Sequence, residues 1–170
     1  MSLYQTRCRP MGSISKKGRI LQCRGTQCFN GETNMRDTSS IGEVSRWQVI
    51  AALTRQRKHI LTPIGDHLRY DLVIDEEGRF LRVQCKTGRL RKGVVPFATC
   101  SIDSRSQKGR CVRRSYRGQI ELFGVYCPDN GKCYLVPVGK APQFQCSLRI
   151  DPPRNGQKTH LMWAEDYEMV

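Results

Sequence analysis

One stretch, Arg69–Lys86, constrains this chain more than any other. Two apolar runs flank Glu77-Gly78, which is the pattern of a β-hairpin. A turn centred on that pair makes residues whose numbers sum to 155 face each other: Ile74 with Leu81, Leu72 with Val83, Asp71 with Gln84. Side chains alternate between the two faces of a strand. Leu72, Ile74, Leu81, Val83 and Cys85 therefore share an apolar face. Asp71, Gln84 and Lys86 share the other, at the open end of the hairpin. A carboxylate, an amide and a lysine projecting together suit a hard cation and a polarised water.

The chain around the hairpin is basic. Its 170 residues suffice for one domain with a proper core, and its net charge is +14. An excess of that size points to a polyanionic partner, most often nucleic acid, although a basic surface can also be merely solvated. No apolar run approaches the length of a membrane span. The N-terminus lacks a secretory apolar stretch, so a cytoplasmic, nucleoid-associated protein is expected. Nine cysteines suggest reduced thiols rather than a disulfide framework. Neither Cys8, Cys23 and Cys28 nor Cys127 and Cys133 has the tight spacing of a strong zinc signature.

A helix is expected from Ser40 to near Arg57. Ser40 with Glu43 matches a capping box. Ile41, Val44, Trp47, Ile50, Ala51 and Leu53 form its apolar stripe. Glu43 then has two roles open to it: returning a bond to Ser40, or reaching the Asp71 site.

Asp71 followed by Gln84-Cys85-Lys86, with Gly42-Glu43 on a preceding helix, resembles the core of the PD-(D/E)XK nuclease superfamily. Tyr70-Asp71 stands where Pro-Asp is common, and Gln84 where Asp or Glu is usual. The pattern is most similar to the branch that contains group I intron homing endonucleases. The resemblance spans roughly residues 41–138. It implies an α/β restriction-endonuclease-like fold, with a central mixed β-sheet flanked by helices. It implies Glu43, Asp71, Gln84 and Lys86 as the catalytic set. Mg²⁺, or Mn²⁺ in its place, would be held by Asp71, Glu43, Gln84 and the Cys85 carbonyl. The expected reaction is site-specific hydrolysis of double-stranded DNA by a homodimer or homotetramer. A junction resolvase on the same core, or a DNA-binding protein on a decayed one, are the alternatives, the latter favoured by Gln84.

Residues 1–37 are expected as a basic arm, a short hairpin around Gly18–Cys23 or a disordered segment, ahead of a nuclease domain over 38–170. The densest positive charge follows Lys86. Arg89, Arg91, Lys92, Arg105, Lys108, Arg110, Arg113, Arg114 and Arg117 are the candidate DNA contacts, since phosphate contacts position a duplex. Val94–Cys100 is expected as an edge strand because of Pro96, and Ser101–Tyr116 as a long loop. Runs on either side of Asn130-Gly131 form a second hairpin, Ser147–Asp151 a last strand, and Pro152–Lys158 an exposed basic turn. The acidic tail, Glu165–Glu168, is expected to be solvated.

Overall fold

The computed structural model describes residues 38–65, 67–103, 112–153, 159 and 161–170. The described elements are a helix α1 (Thr38–Arg55) and the strands β1 (His59–Leu61), β2 (Leu72–Glu76), β3 (Arg79–Thr87), β4 (Val94–Ala98), β5 (Cys100–Asp103), β6 (Val112–Ser115), β7 (Leu122–Cys127), β8 (Lys132–Pro137), β9 (Gln145–Arg149) and β10 (Met162–Trp163). A short 3₁₀ turn, Glu165–Tyr167, ends the chain. The expected basic arm, residues 1–37, and most of the expected basic turn, residues 154–158, lie outside the described residues.

The β2–β3 hairpin has the register expected from the sequence. Leu72 faces Val83, Ile74 faces Leu81 and Glu76 faces Arg79. Glu77 and Gly78 both have positive φ, +51° and +88°, as a two-residue turn matching strand twist requires. The Gly78 N–H donates to Asp75 Oδ1 at 2.9 Å and tightens the turn.

The central sheet runs β1-β2-β3-β7-β8 and is mixed. β3 and β7 are parallel, and the other neighbours are antiparallel. A parallel pair needs a long connection. Here that connection carries β4, β5 and β6. β4 joins β9 and β10 in a three-stranded sheet, with β4 at an edge, as Pro96 requires. The second hairpin forms at Asn130-Gly131, with Cys127 facing Lys132 and Gly131 at φ +69°.

Two cores lie on opposite faces of the central sheet. Val49, Ala52 and Leu53 of α1 pack on Leu72, Ile74, Val83 and Cys85. Phe123, Val125, Tyr134 and Val136 pack instead on Val95, Phe97, Cys146 and Leu148. Helices were expected on the sheet's faces. α1 covers one; among the described residues the other is covered by the small sheet. Cys127 and Cys133 belong to opposite cores, so their thiols do not share a metal site.

Several local expectations need correction. α1 begins at Thr38, so Ser40 lies inside the first turn and not at the cap position of a capping box. Val44 and Trp47 point outward, 45% and 56% exposed, while Ser45 and Val49 are buried. Apolar residues surround much of this helix, so periodicity alone does not choose the seated face. Val49 chooses it, because it drops onto Gly124 of β7. Ser45 is kept satisfied by Ile41 O at 3.0 Å and Thr87 Oγ1 at 2.6 Å, which ties α1 to the end of β3. The two ends of the expected long loop pair as strands, β5 with β6, in which Cys100 faces Ser115; residues 104–111 between them lie outside the described residues. The short, polar strands of this ribbon carry little sequence signal. The tail is not simply solvated. Glu168 pairs with Lys132 at 2.9 Å, and the Met169 N–H donates to Cys133 O at 2.9 Å, covering the open edge of β8.

Gly124 sets how closely α1 approaches the sheet. A Cβ there would lie 2.7 Å from Val49 Cγ1 and 3.2 Å from Val83 Cγ1. Gly124→Ala is therefore expected to cost about 1–3 kcal/mol through overpacking. Gly42→Ala, where a Cβ meets nothing within 4 Å, should be neutral or stabilising. Thermal unfolding of both variants checks the pair.

Candidate active site

The hairpin presents its polar set where the start of α1 meets the sheet. Asp71 extends the pairing one residue beyond β2, its N–H donating to Val83 O at 2.9 Å. Asp71 Oδ2 accepts the Cys85 N–H at 2.6 Å and the Gln84 side-chain amide. Asp71 and Gln84 are thus brought together as the register required. A cleft of about 460 Å³ opens here, lined by Gly42, Glu43 and Arg46 from α1 and by Asp71, Gln84 and Cys85 from the hairpin.

Burial pushes the Asp71 carboxyl above its ordinary range. The Cys85 N–H and the charges of Lys86 and Arg46 oppose that rise. Burial also pushes the Cys85 thiol far up, so it is no thiolate ligand at neutral pH. The backbone carbonyl is what Cys85 offers the cleft. Glu43 is exposed and pairs with Arg46 at 3.7 Å, one turn along the helix.

Lys86 lies close enough to Asp71 to stabilise its charge, but its Nζ donates to the Tyr116 hydroxyl at 3.1 Å. Tyr116 also carries Arg69, whose guanidinium carbon lies 4.1 Å from the ring centroid. Arg46, Arg69 and Tyr116 were not singled out from sequence. Arg46 was legible in principle, because three residues after Glu43 is the same helical face. Arg69 and Tyr116 meet only through tertiary packing. Arg46 Nε is buried without a hydrogen-bond partner, leaving a donor for a ligand.

The basic candidates fall into separate places. Arg89 is held by Asp129 at 3.9 Å, while Arg91 and Lys92 are exposed at a tight turn with Lys92 at φ +50°. Arg113 and Arg114 lie on β6; Arg113 stacks 5.5 Å from the Phe144 ring. Arg117 donates to Ala141 O at 3.1 Å. Arg105, Lys108 and Arg110 lie outside the described residues.

The donors suit a hard divalent cation. They are the Asp71 and Glu43 carboxylates, the Cys85 carbonyl and the Gln84 amide oxygen, all oxygen ligands. Gln84 now turns its nitrogen toward Asp71, so reversing the amide would present the oxygen instead. Among the described residues no group of three or more His, Cys, Asp or Glu side chains is placed to hold a metal ion.

The family model of the PD-(D/E)XK endonucleases matches residues 36–170, and the chain belongs to that family. In fold it is similar to a bacterial homing endonuclease, I-Ssp6803I, at 23% identity and a TM-score of 0.63. That match covers 78% of this chain and 88% of the other. No curated protein sequence matches the chain. No described helix is long and apolar enough to cross a membrane.

Asp71 supplies a pH test. Its carboxyl is raised from an ordinary 3.8, so the native state loses stability as pH climbs from below 3.8 through the raised value, and the penalty is fully present at neutral pH. Asp71→Asn removes it. In EDTA the variant should melt at or above wild type at pH 7, with the advantage vanishing below pH 3.8. A variant melting well below wild type at pH 7 would mean that the bonds from Cys85 and Gln84 outweigh the burial.

Proposed function

We propose that this nuclease is a Mg²⁺-dependent endonuclease that cuts double-stranded DNA at specific sites, in the manner of a homing endonuclease. The observation that carries this reading is the cleft itself. Asp71 and Gln84 meet across two strands, Lys86 follows on one of them, and Glu43 with Arg46 forms the facing wall.

Asp71, Glu43, Gln84 and the Cys85 carbonyl would hold the cation. The chemistry supplied there by Mg²⁺, or by Mn²⁺ in its place, is Lewis-acid polarisation of the scissile phosphate. Lys86 holds the attacking water and offsets charge developing on the phosphate. Arg46 has an open donor, and a phosphate oxygen supplies its acceptor. Arg89, Arg91, Lys92, Arg113, Arg114 and Arg117, with Arg105, Lys108, Arg110 and the N-terminal arm, contribute phosphate and base contacts. Two cuts in a duplex need two sites, which a homodimer or homotetramer provides.

One observation favours a second reading. Position 84 carries an amide where a carboxylate is usual, and that amide bonds to Asp71, an arrangement that suits a scaffold that binds DNA and no longer cuts it.

Cleavage of a plasmid library in Mg²⁺ or EDTA separates the two. Discrete Mg²⁺-dependent fragments are expected, with Asp71→Ala and Lys86→Ala each slowing cleavage by about 100-fold or more. DNA that is bound but uncut in every metal selects the second reading. Undiminished cutting by Asp71→Ala would place the active site elsewhere.

A further inference from the structure

The group that holds Lys86 lies outside the cleft. Lys86 Nζ donates to the Tyr116 hydroxyl at 3.1 Å and sits 4.7 Å from the ring centroid. An ammonium bonded to a hydroxyl that is itself buried and fixed has little freedom to swing away. The phenol is itself fixed. Tyr116 is 5% exposed, and its ring meets Phe123 edge-on at 5.7 Å between centroids. Phe123 is the β7 residue paired with Gln84 of β3. The ring is thus seated against β7, beside the strand that carries Gln84 and Lys86. Since an ammonium has three donors, one bond to Tyr116 leaves two for water and phosphate.

Tyr116 is also the residue that follows the basic ribbon. Arg69 locks the base of that ribbon onto the same ring. It stacks on Tyr116 at 4.1 Å, and donates to Ser101 Oγ of β5 at 2.6 Å and to the Ser115 carbonyl at the end of β6 at 3.1 Å. Its Nε donates to Gln119 Oε1 at 2.7 Å, just past Tyr116. Arg69 precedes Asp71 by two residues. One phenol therefore joins the ribbon's base, the lysine of the site and the segment leading into its carboxylate.

We propose that Tyr116 is the positioning residue for Lys86, and that Arg69 seats it on the base of the β5–β6 ribbon, so that DNA held by the ribbon is aligned with the catalytic ammonium. The proposal rests on the nuclease reading of Lys86 given above. Tyr116 touches neither water nor phosphate in this role; it acts through Lys86.

Tyr116→Phe isolates the idea, because it keeps the ring and its packing on Phe123 and removes only the acceptor. Four proteins are compared on a cleavable site: wild type, Tyr116→Phe, Lys86→Ala and the double variant. Single-turnover rates are measured in Mg²⁺, DNA affinity in Ca²⁺, and melting temperature without DNA. Tyr116→Phe should cleave about tenfold or more slowly, the scale of a slightly misplaced catalytic group, with affinity and melting temperature little changed. In the Lys86→Ala background the same change should cost almost nothing, since the two act as a unit. A wild-type rate for Tyr116→Phe, with Lys86→Ala inactive, overturns the positioning role alone. So does a loss that adds fully to that of Lys86→Ala, or one matched by lost affinity and melting temperature. Undiminished cutting by Lys86→Ala removes Lys86 from the catalytic set and this proposal with it, whereas no cutting by wild type overturns the nuclease reading as well.

Discussion

The register of the β2–β3 hairpin is the constraint on which the site depends. Side chains alternate with a period of two, so slipping one strand by a single residue would turn Cys85 toward the cleft and Gln84 and Lys86 toward the helix. The Glu77-Gly78 turn prevents that slip by accepting positive φ at both positions. Leu72, Ile74 and Val83 prevent it from the other side, since only one register buries all three beneath α1. Asp71 then receives the Cys85 N–H as a consequence of pairing geometry, and its carboxylate is fixed by backbone before any ligand arrives.

The charge at the site is unusually balanced for a metal centre. A second carboxylate at position 84 would face Asp71 and raise one of the two pKa values strongly. Gln84 avoids that repulsion, and its amide can turn either its nitrogen to Asp71 or its oxygen to a cation. In the proposed metal site the cost of the amide would be a weaker hold on the cation, left to Glu43 and the substrate phosphate to offset. Glu43 is well placed for a conditional role. Its partner Arg46 is half-buried, so in the proposed site a phosphate entering the cleft would compete with Glu43 for that guanidinium.

Much of this was legible in the sequence wherever local chemistry decides the outcome. The hairpin pairing, the Asn130-Gly131 turn, the Pro96 edge and the meeting of Asp71 with Gln84 all follow from turn residues and alternation. The helix itself was legible, but its seated face was not. Val44 and Trp47 are as apolar as Val49, and the choice is made by Gly124, seventy-five residues further along the chain. The sequence reads as a loop at the ribbon because Val112–Ser115 is short and half basic. Its register comes from the partner strand, and its anchor from Arg69. Tyr116 escaped notice for the same reason: nothing local distinguishes it, and only the packed structure sets its hydroxyl beside Lys86.

The central claim is that Asp71 and its hairpin partners form a metal site for DNA cleavage. The most direct test is anomalous scattering from crystals of the protein with DNA and Mn²⁺. The account predicts a peak within about 2.5 Å of an Asp71 carboxylate oxygen and of the Cys85 carbonyl, with Gln84 turned to present its oxygen. A peak that touches neither Asp71 nor Cys85, or no peak on DNA-bound protein, would contradict it.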